Sequence, residues 1–181
     1  GIIKTKLFMN LKTTFLTVIS TLLIASCATD PCTDVTCLNA STCSDGTCLC
    51  TDWYEGTDCG TEQRTKFLGT YSGNVVFTYS DSTTESETWD ITIGSVSDSV
   101  NHFDLMITTQ GDTKGGIKGK LITNAAGDVT FDPQVILDPD GDFSIQGTGF
   151  FTITQTDSAF SFEWTVNADG ETITTSYTGT K

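Results

Sequence analysis

Basic residues are scarce in this chain, histidine is nearly missing, and no cysteine occurs after position 59. The 181 residues hold nine Lys and Arg against 23 Asp and Glu, a formal net charge of −14. So acidic a chain repels phosphate backbones, and no basic patch offsets the field, which excludes nucleic acid as a partner. His102 is the only histidine. A Ser-His-Asp triad would have to run through it, and no Gly-x-Ser-x-Gly accompanies it. It reads as a surface histidine in the turn-to-strand stretch 98–104. Carboxylates are plentiful, Glu85 and Glu87 among them. A glycosidase pair must flank a cleft, however, and adjacency in an acidic chain does not supply one. No enzyme activity and no cofactor are expected. A membrane-spanning run is also lacking, because the apolar stretch 15–25 has 11 residues where a span needs about 20.

What is present begins with a leader. Residues 1–26 hold Lys4, Lys6 and Lys12, no acidic residue, the apolar stretch 15–25 and small residues at the end. That order describes a secretory signal peptide, with Met9 the expected start. The string Ile24-Ala25-Ser26-Cys27 resembles the lipobox of bacterial lipoproteins. The resemblance implies that 1–26 is removed and that Cys27 carries the lipid. Residues 27–31 are then the lipidated N-terminus and linker. A diacyl anchor with an acylated amine holds stably where one chain does not. The expected location is the bacterial cell envelope, as an outer-membrane lipoprotein; ordinary cleavage near 25–28 would give a secreted protein instead. Loss of the leader leaves six basic residues against 23 acidic ones, a net charge of −17. Contact with the membrane is therefore expected through the anchor alone.

Six cysteines follow at 32, 37, 43, 48, 50 and 59, with gaps of four, five, four, one and eight residues. About 30 residues with almost no aliphatic core cannot fold unaided, so disulfides are expected to hold them. Spacing alone does not choose the partners. Zinc is disfavoured, since no pair of Cys-x-x-Cys motifs and no nearby His is present. The spacing and the ending Trp53-Tyr54-Glu55-Gly56-Thr57-Asp58-Cys59 resemble an EGF-like domain over 32–60, with Trp53 where a Gly is more usual. The resemblance implies the pairings Cys32–Cys43, Cys37–Cys48 and Cys50–Cys59, each constraining the unfolded chain by about 2–4 kcal/mol. It implies no calcium site here, because the acidic and aromatic signals of calcium-binding members are missing. In a eukaryotic secreted protein, the distant alternative, Thr42 would fit an O-fucose site and Asn39-Ala40-Ser41 an N-glycosylation sequon.

Residues 61–181 are rich in Thr and alternate with period two; no helix-period stretch is apparent. Strands are predicted at about 67–79, 86–96, 101–109, 116–123, 128–136, 142–154, 159–167 and 171–179. Phe67, Tyr71, Val75 and Phe77 share one face of the first. Trp89, Ile91 and Ile93 do so in the second, and Phe103, Leu105 and Ile107 in the third. Later inward candidates include Ile117, Phe131, Ile145, Phe151, Ile153, Phe160, Phe162, Trp164 and Tyr177. Turn signals such as Asp81-Ser82, Gly111-Asp112 and Asp169-Gly170 separate the strands. Eight consecutive strands favour an antiparallel up-and-down barrel, which removes exposed edges; a two-sheet β-sandwich is the alternative. The opening Lys66-Phe67-Leu68-Gly69-Thr70-Tyr71 resembles the first strand of lipocalin-like (calycin) domains and the small β domains of Bacteroidota lipoproteins. Tyr71 stands in place of the family's Trp, and no late-strand Arg is present to pack on it. The resemblance implies a barrel whose mouth holds a small apolar ligand. Five aromatics between 150 and 164 argue instead for a barrel filled by its own side chains.

Asp138, Asp140 and Asp142 flank a tight turn and could present oxygen ligands to a hard cation. They lack a downstream bidentate Glu, and a Pro-Asp-Gly turn explains them, so no metal is assigned. Ser82, Ser99 and Ser158, each after an Asp, resemble the O-glycosylation pattern of Bacteroidota exported proteins. Taken together, the residues lead to a non-enzymatic envelope lipoprotein. Its EGF-like stalk would present a β-barrel for binding a protein, a glycan or a small apolar ligand, and the alternative is a lipocalin-like carrier.

Overall fold

The structure, a computed structural model, describes residues 29–123, 127–137, 141–154 and 157–181. Cys27, Asp138 and Asp140 lie outside them. Two small sheets precede a large one. In the first, β1 (Thr42–Ser44) pairs with β2 (Thr47–Leu49) across Asp45-Gly46. Both turn residues have positive φ, which matches the twist of a two-residue hairpin. In the second, β3 (Tyr54–Glu55) pairs with β4 (Thr61–Glu62). Disulfides Cys32–Cys43, Cys37–Cys48 and Cys50–Cys59 hold this module, which has little apolar burial of its own.

The large sheet is a closed antiparallel barrel of eight strands: β5 (Gly69–Thr78), β6 (Thr84–Ser95), β7 (His102–Thr109), β8 (Asp112–Leu121), β9 (Asp128–Ile136), β10 (Phe143–Ile153), β11 (Ser158–Ala168) and β12 (Glu171–Thr180). Each strand pairs with its neighbours in sequence, and β12 closes onto β5. The up-and-down order follows from the short turns, and closure leaves no open edge. The sandwich alternative is thereby set aside.

Alternation explains which side chains point in. Tyr71, Val75, Ile91, Leu105, Phe131, Ile145 and Phe160 are all fully buried. Glycines opposite several of the inward rings make room for them. Trp89 faces Gly73, Phe103 faces Gly119, Phe160 faces Gly179, Phe162 faces Gly149 and Trp164 faces Gly147 on the adjoining strands. Two pairs of rings meet directly across a ladder, Phe151 with Phe160 and Phe162 with Tyr177, and Phe67 stacks on Phe151 of the first pair. Phe151 lies 4.6 Å from Phe67 and 4.3 Å from Phe160, and Phe162 lies 5.1 Å from Tyr177.

Two expectations change. Phe67 was expected to open the first strand, but it ends a 3-10 helix, Gln63–Phe67. Only at Gly69, with φ +129, does the chain turn into β5. Ile153 was expected inside but is exposed: it is the last residue of β10, beyond the layer of rings around Phe151.

The β8–β9 seam is the weakest closure. Among the described residues its ladder pairs are Lys120–Thr130 and Leu121–Val129, with the Ile122 N–H donating to the Asp128 carbonyl at 2.9 Å beside them. Gly115-Gly116 bulges β8 opposite β7, Gly116 having φ +83. Pro133, which has no N–H to give a ladder, sits at the shift between β9 and β10. The Gln134 amide fills the gap: its Oε1 accepts from the Lys118 N–H at 2.7 Å and its Nε2 donates to the Lys118 carbonyl at 2.8 Å. Gln134→Ala is expected to lower stability by about 1 kcal/mol and to speed exchange of the Lys118 amide. Denaturant melts and hydrogen exchange check both; unchanged exchange would mean that the side chain does not close the seam.

Candidate binding recess at the open end of the barrel

The two ends of the barrel differ. One end is closed by the 3-10 helix. Its Phe67 stacks on Phe151, and its Arg64, 6% exposed, donates from Nη1 to the carbonyls of Ser99 and His102, both at 2.7 Å. Arg64 also pairs with Glu62 at 2.8 Å. Burial raises the Tyr71 hydroxyl to about 12, so it stays a donor, here to the Phe67 carbonyl at 2.8 Å. Tyr177 donates in turn to the Tyr71 carbonyl at 2.7 Å, and burial pushes its hydroxyl up as well. Lys181 Nζ stands 5.0 Å from the Tyr71 ring centroid, and burial lowers its affinity for the proton. No late-strand Arg packs there, and a lysine takes that place instead.

The disulfide-bonded module sits at this closed end. The Gln63 N–H donates to the Trp53 carbonyl at 2.8 Å, and Lys66 pairs with Glu55 at 2.8 Å. Trp53 packs against the barrel core. Residues 61–67 thus pair with the module through β4 and plug the barrel through the helix.

Among the described residues, the other end is open. Between the strand ends near the β5–β6, β7–β8 and β11–β12 turns lies a recess of about 390 Å³, within the size range of small-molecule sites. Phe77, Trp89, Ile107, Phe143, Trp164 and Val166 form its apolar wall, with the Phe77 and Trp89 rings edge to face at 5.5 Å. Glu87, Lys114, Asp142 and Asp169 stand in its lining. Glu87 Oε1 accepts from the Trp89 indole at 2.8 Å. The expectation of a filled barrel therefore holds only for the closed half. The stacked rings of β10 and β11 crowd toward the helix, while inward positions near the mouth carry Glu87, Thr109 and Thr175. Those polar residues in the inward phase were the signal available in the sequence.

The other predicted residues are scattered. Asp142 lines the recess, but its expected partners Asp138 and Asp140 fall outside the described residues; among those described, no three His, Cys, Asp or Glu converge on a metal position. Ser82 is exposed at the β5–β6 turn. The Ser99 hydroxyl donates to Asn101 at 2.7 Å, and Ser158 is half-buried at the start of β11. The Asn39 side-chain amide is occupied, donating to the Cys59 carbonyl at 2.7 Å. His102 lines an outer groove with Lys118 and Lys120, away from the recess.

The fold and recess define a closed eight-stranded antiparallel barrel with one plugged end, one open end and a disulfide-rich module beside the plug. No family model, no curated protein and no solved structure matches this chain.

Proposed function

We propose that this is a non-enzymatic binding protein of the bacterial cell envelope. Lipid on Cys27 tethers it, the EGF-like module serves as a short stalk, and the lipocalin-like barrel offers its recess to a small ligand with an apolar body. The observation that carries this reading is the polarity of the barrel. The module and plug occupy one end, so the open, aromatic-walled recess lies at the end opposite the module. Between the two readings drawn from the residues, general surface display and small-ligand carriage, the recess favours the second. A pocket of this size with an apolar wall and a few polar groups suits an uncharged small molecule better than a protein surface.

The test uses the chain expressed with its own leader in a bacterial host. Its intact mass should correspond to a start at Cys27 plus a diacylglyceryl and an acyl group; a lipid-free chain starting near Ala28 rejects the tether. The same protein titrated with Nile red, an uncharged dye, should bind one equivalent saturably. Ala168→Trp, which places a large ring at the lining of the recess, should abolish that binding. Equal binding by this variant, or none by the parent, rejects the recess as the site.

A further inference from the structure

Two buried side-chain polar atoms among the described residues lack both a hydrogen-bond and an ion-pair partner: the Trp164 indole nitrogen and the Thr175 hydroxyl. Trp164 is 3% exposed and Thr175 is fully buried. A buried donor left without a partner costs about 1–3 kcal/mol, so native chains rarely keep one without a reason. These two are not independent. They face each other across the β11–β12 ladder, both point inward, and both line the recess.

We propose that the recess takes an uncharged, flat amphiphile that buries an oxygen acceptor, a carbonyl above all, between Trp164 and Thr175. This rests on the recess being the binding site. The indole N–H can only donate, so the group it meets must accept; the neighbouring hydroxyl can donate to the same oxygen. The rings of Phe77, Trp89, Phe143 and Trp164 give the body of the ligand flat apolar faces. Charge sets the last condition. Glu87, Asp142 and Asp169 outnumber Lys114 in the lining, and the chain as a whole carries −14. An anionic ligand such as a fatty-acid carboxylate would enter a repulsive field.

One dye scaffold in three forms tests this on the intact, oxidised protein. The ketone 6-propionyl-2-dimethylaminonaphthalene offers an uncharged acceptor, 2-dimethylaminonaphthalene has none, and 6-dimethylamino-2-naphthoate is an anion. The ketone should bind at least about fivefold tighter than the form without the carbonyl, the gain of at least one buried hydrogen bond, and also tighter than the naphthoate. Trp164→Phe keeps a ring but loses the N–H, and should remove a large part of the ketone's advantage while leaving the carbonyl-free form unchanged. Thr175→Val keeps the shape; it should weaken the ketone in the same direction and raise the melting temperature of the free protein. That rise shows the variant to be folded. If the carbonyl-free form binds as tightly as the ketone, or the naphthoate binds tighter than it, the ligand class is wrong while the recess stands. If Nile red and all three dyes fail to bind, the recess reading itself falls.

Discussion

Gly147→Ala is expected to cost about 3 kcal/mol, the upper range for forcing an extra group into a packed interior. A Cβ at this position would run into the Glu163 carbonyl and the Trp164 Cα, backbone atoms that cannot swing aside. The same strand pair carries Phe162 and Trp164 over Gly149 and Gly147, so any local relief must move two rings as well. Gly94→Ala is the control. It also lies within a strand, at β6, but its Cβ would meet nothing nearer than 4.0 Å, and the change should stay within about 0.5 kcal/mol. Equilibrium denaturation of both variants decides the matter. Comparable losses would show that the ring-over-glycine packing is not what limits the barrel.

Arg64→Met should cost about 2–4 kcal/mol and loosen the plugged end. Methionine keeps the apolar stem but leaves the Ser99 and His102 carbonyls without their charged donor, and bonds to charged groups are worth more than neutral ones. Lys66→Met provides the contrast. Lys66 makes an ion pair of the same 2.8 Å length with Glu55, but its side chain is 28% exposed, and such pairs contribute at most about 1 kcal/mol. Thermal melts with hydrogen exchange at 63–67 and 99–102 measure both. An Arg64 variant as stable as the Lys66 variant would mean that the plug is held by Phe67 alone.

Much of the fold was legible in the residues because a strand announces itself locally. Alternation in Trp89-Asp90-Ile91-Thr92-Ile93 assigns inside and outside without reference to any neighbour, and turn pairs such as Gly111-Asp112 mark where strands end. Eight such segments in a row leave few topologies other than a meander. The recess was not legible in the same way. Phe143, Val166 and Trp164 carry the same inward phase as Phe151 and Phe160, and phase alone cannot say at which end of the barrel the rings gather. The plug was misread for a related reason: Phe67 fits the alternation of β5, yet the contacts that place it in a helix are with Phe151 on β10 and, through Arg64, with the turn before β7.

By itself, the sequence determined the eight strands of the barrel, most of their inward and outward residues, the acidic charge and the confinement of disulfides to 32–59. Each of these depends on residue type and near-neighbour spacing. Only the tertiary structure decided which glycine faces which ring, that one end is sealed and the other hollow, and that Trp164 and Thr175 meet without partners at the wall of the hollow. The facing pairs lie on consecutive strands and follow from the register that each turn sets. The sealed and hollow ends follow instead from closure of β12 onto β5 and from packing of the helix against Phe151; the inward phase of a strand specifies neither.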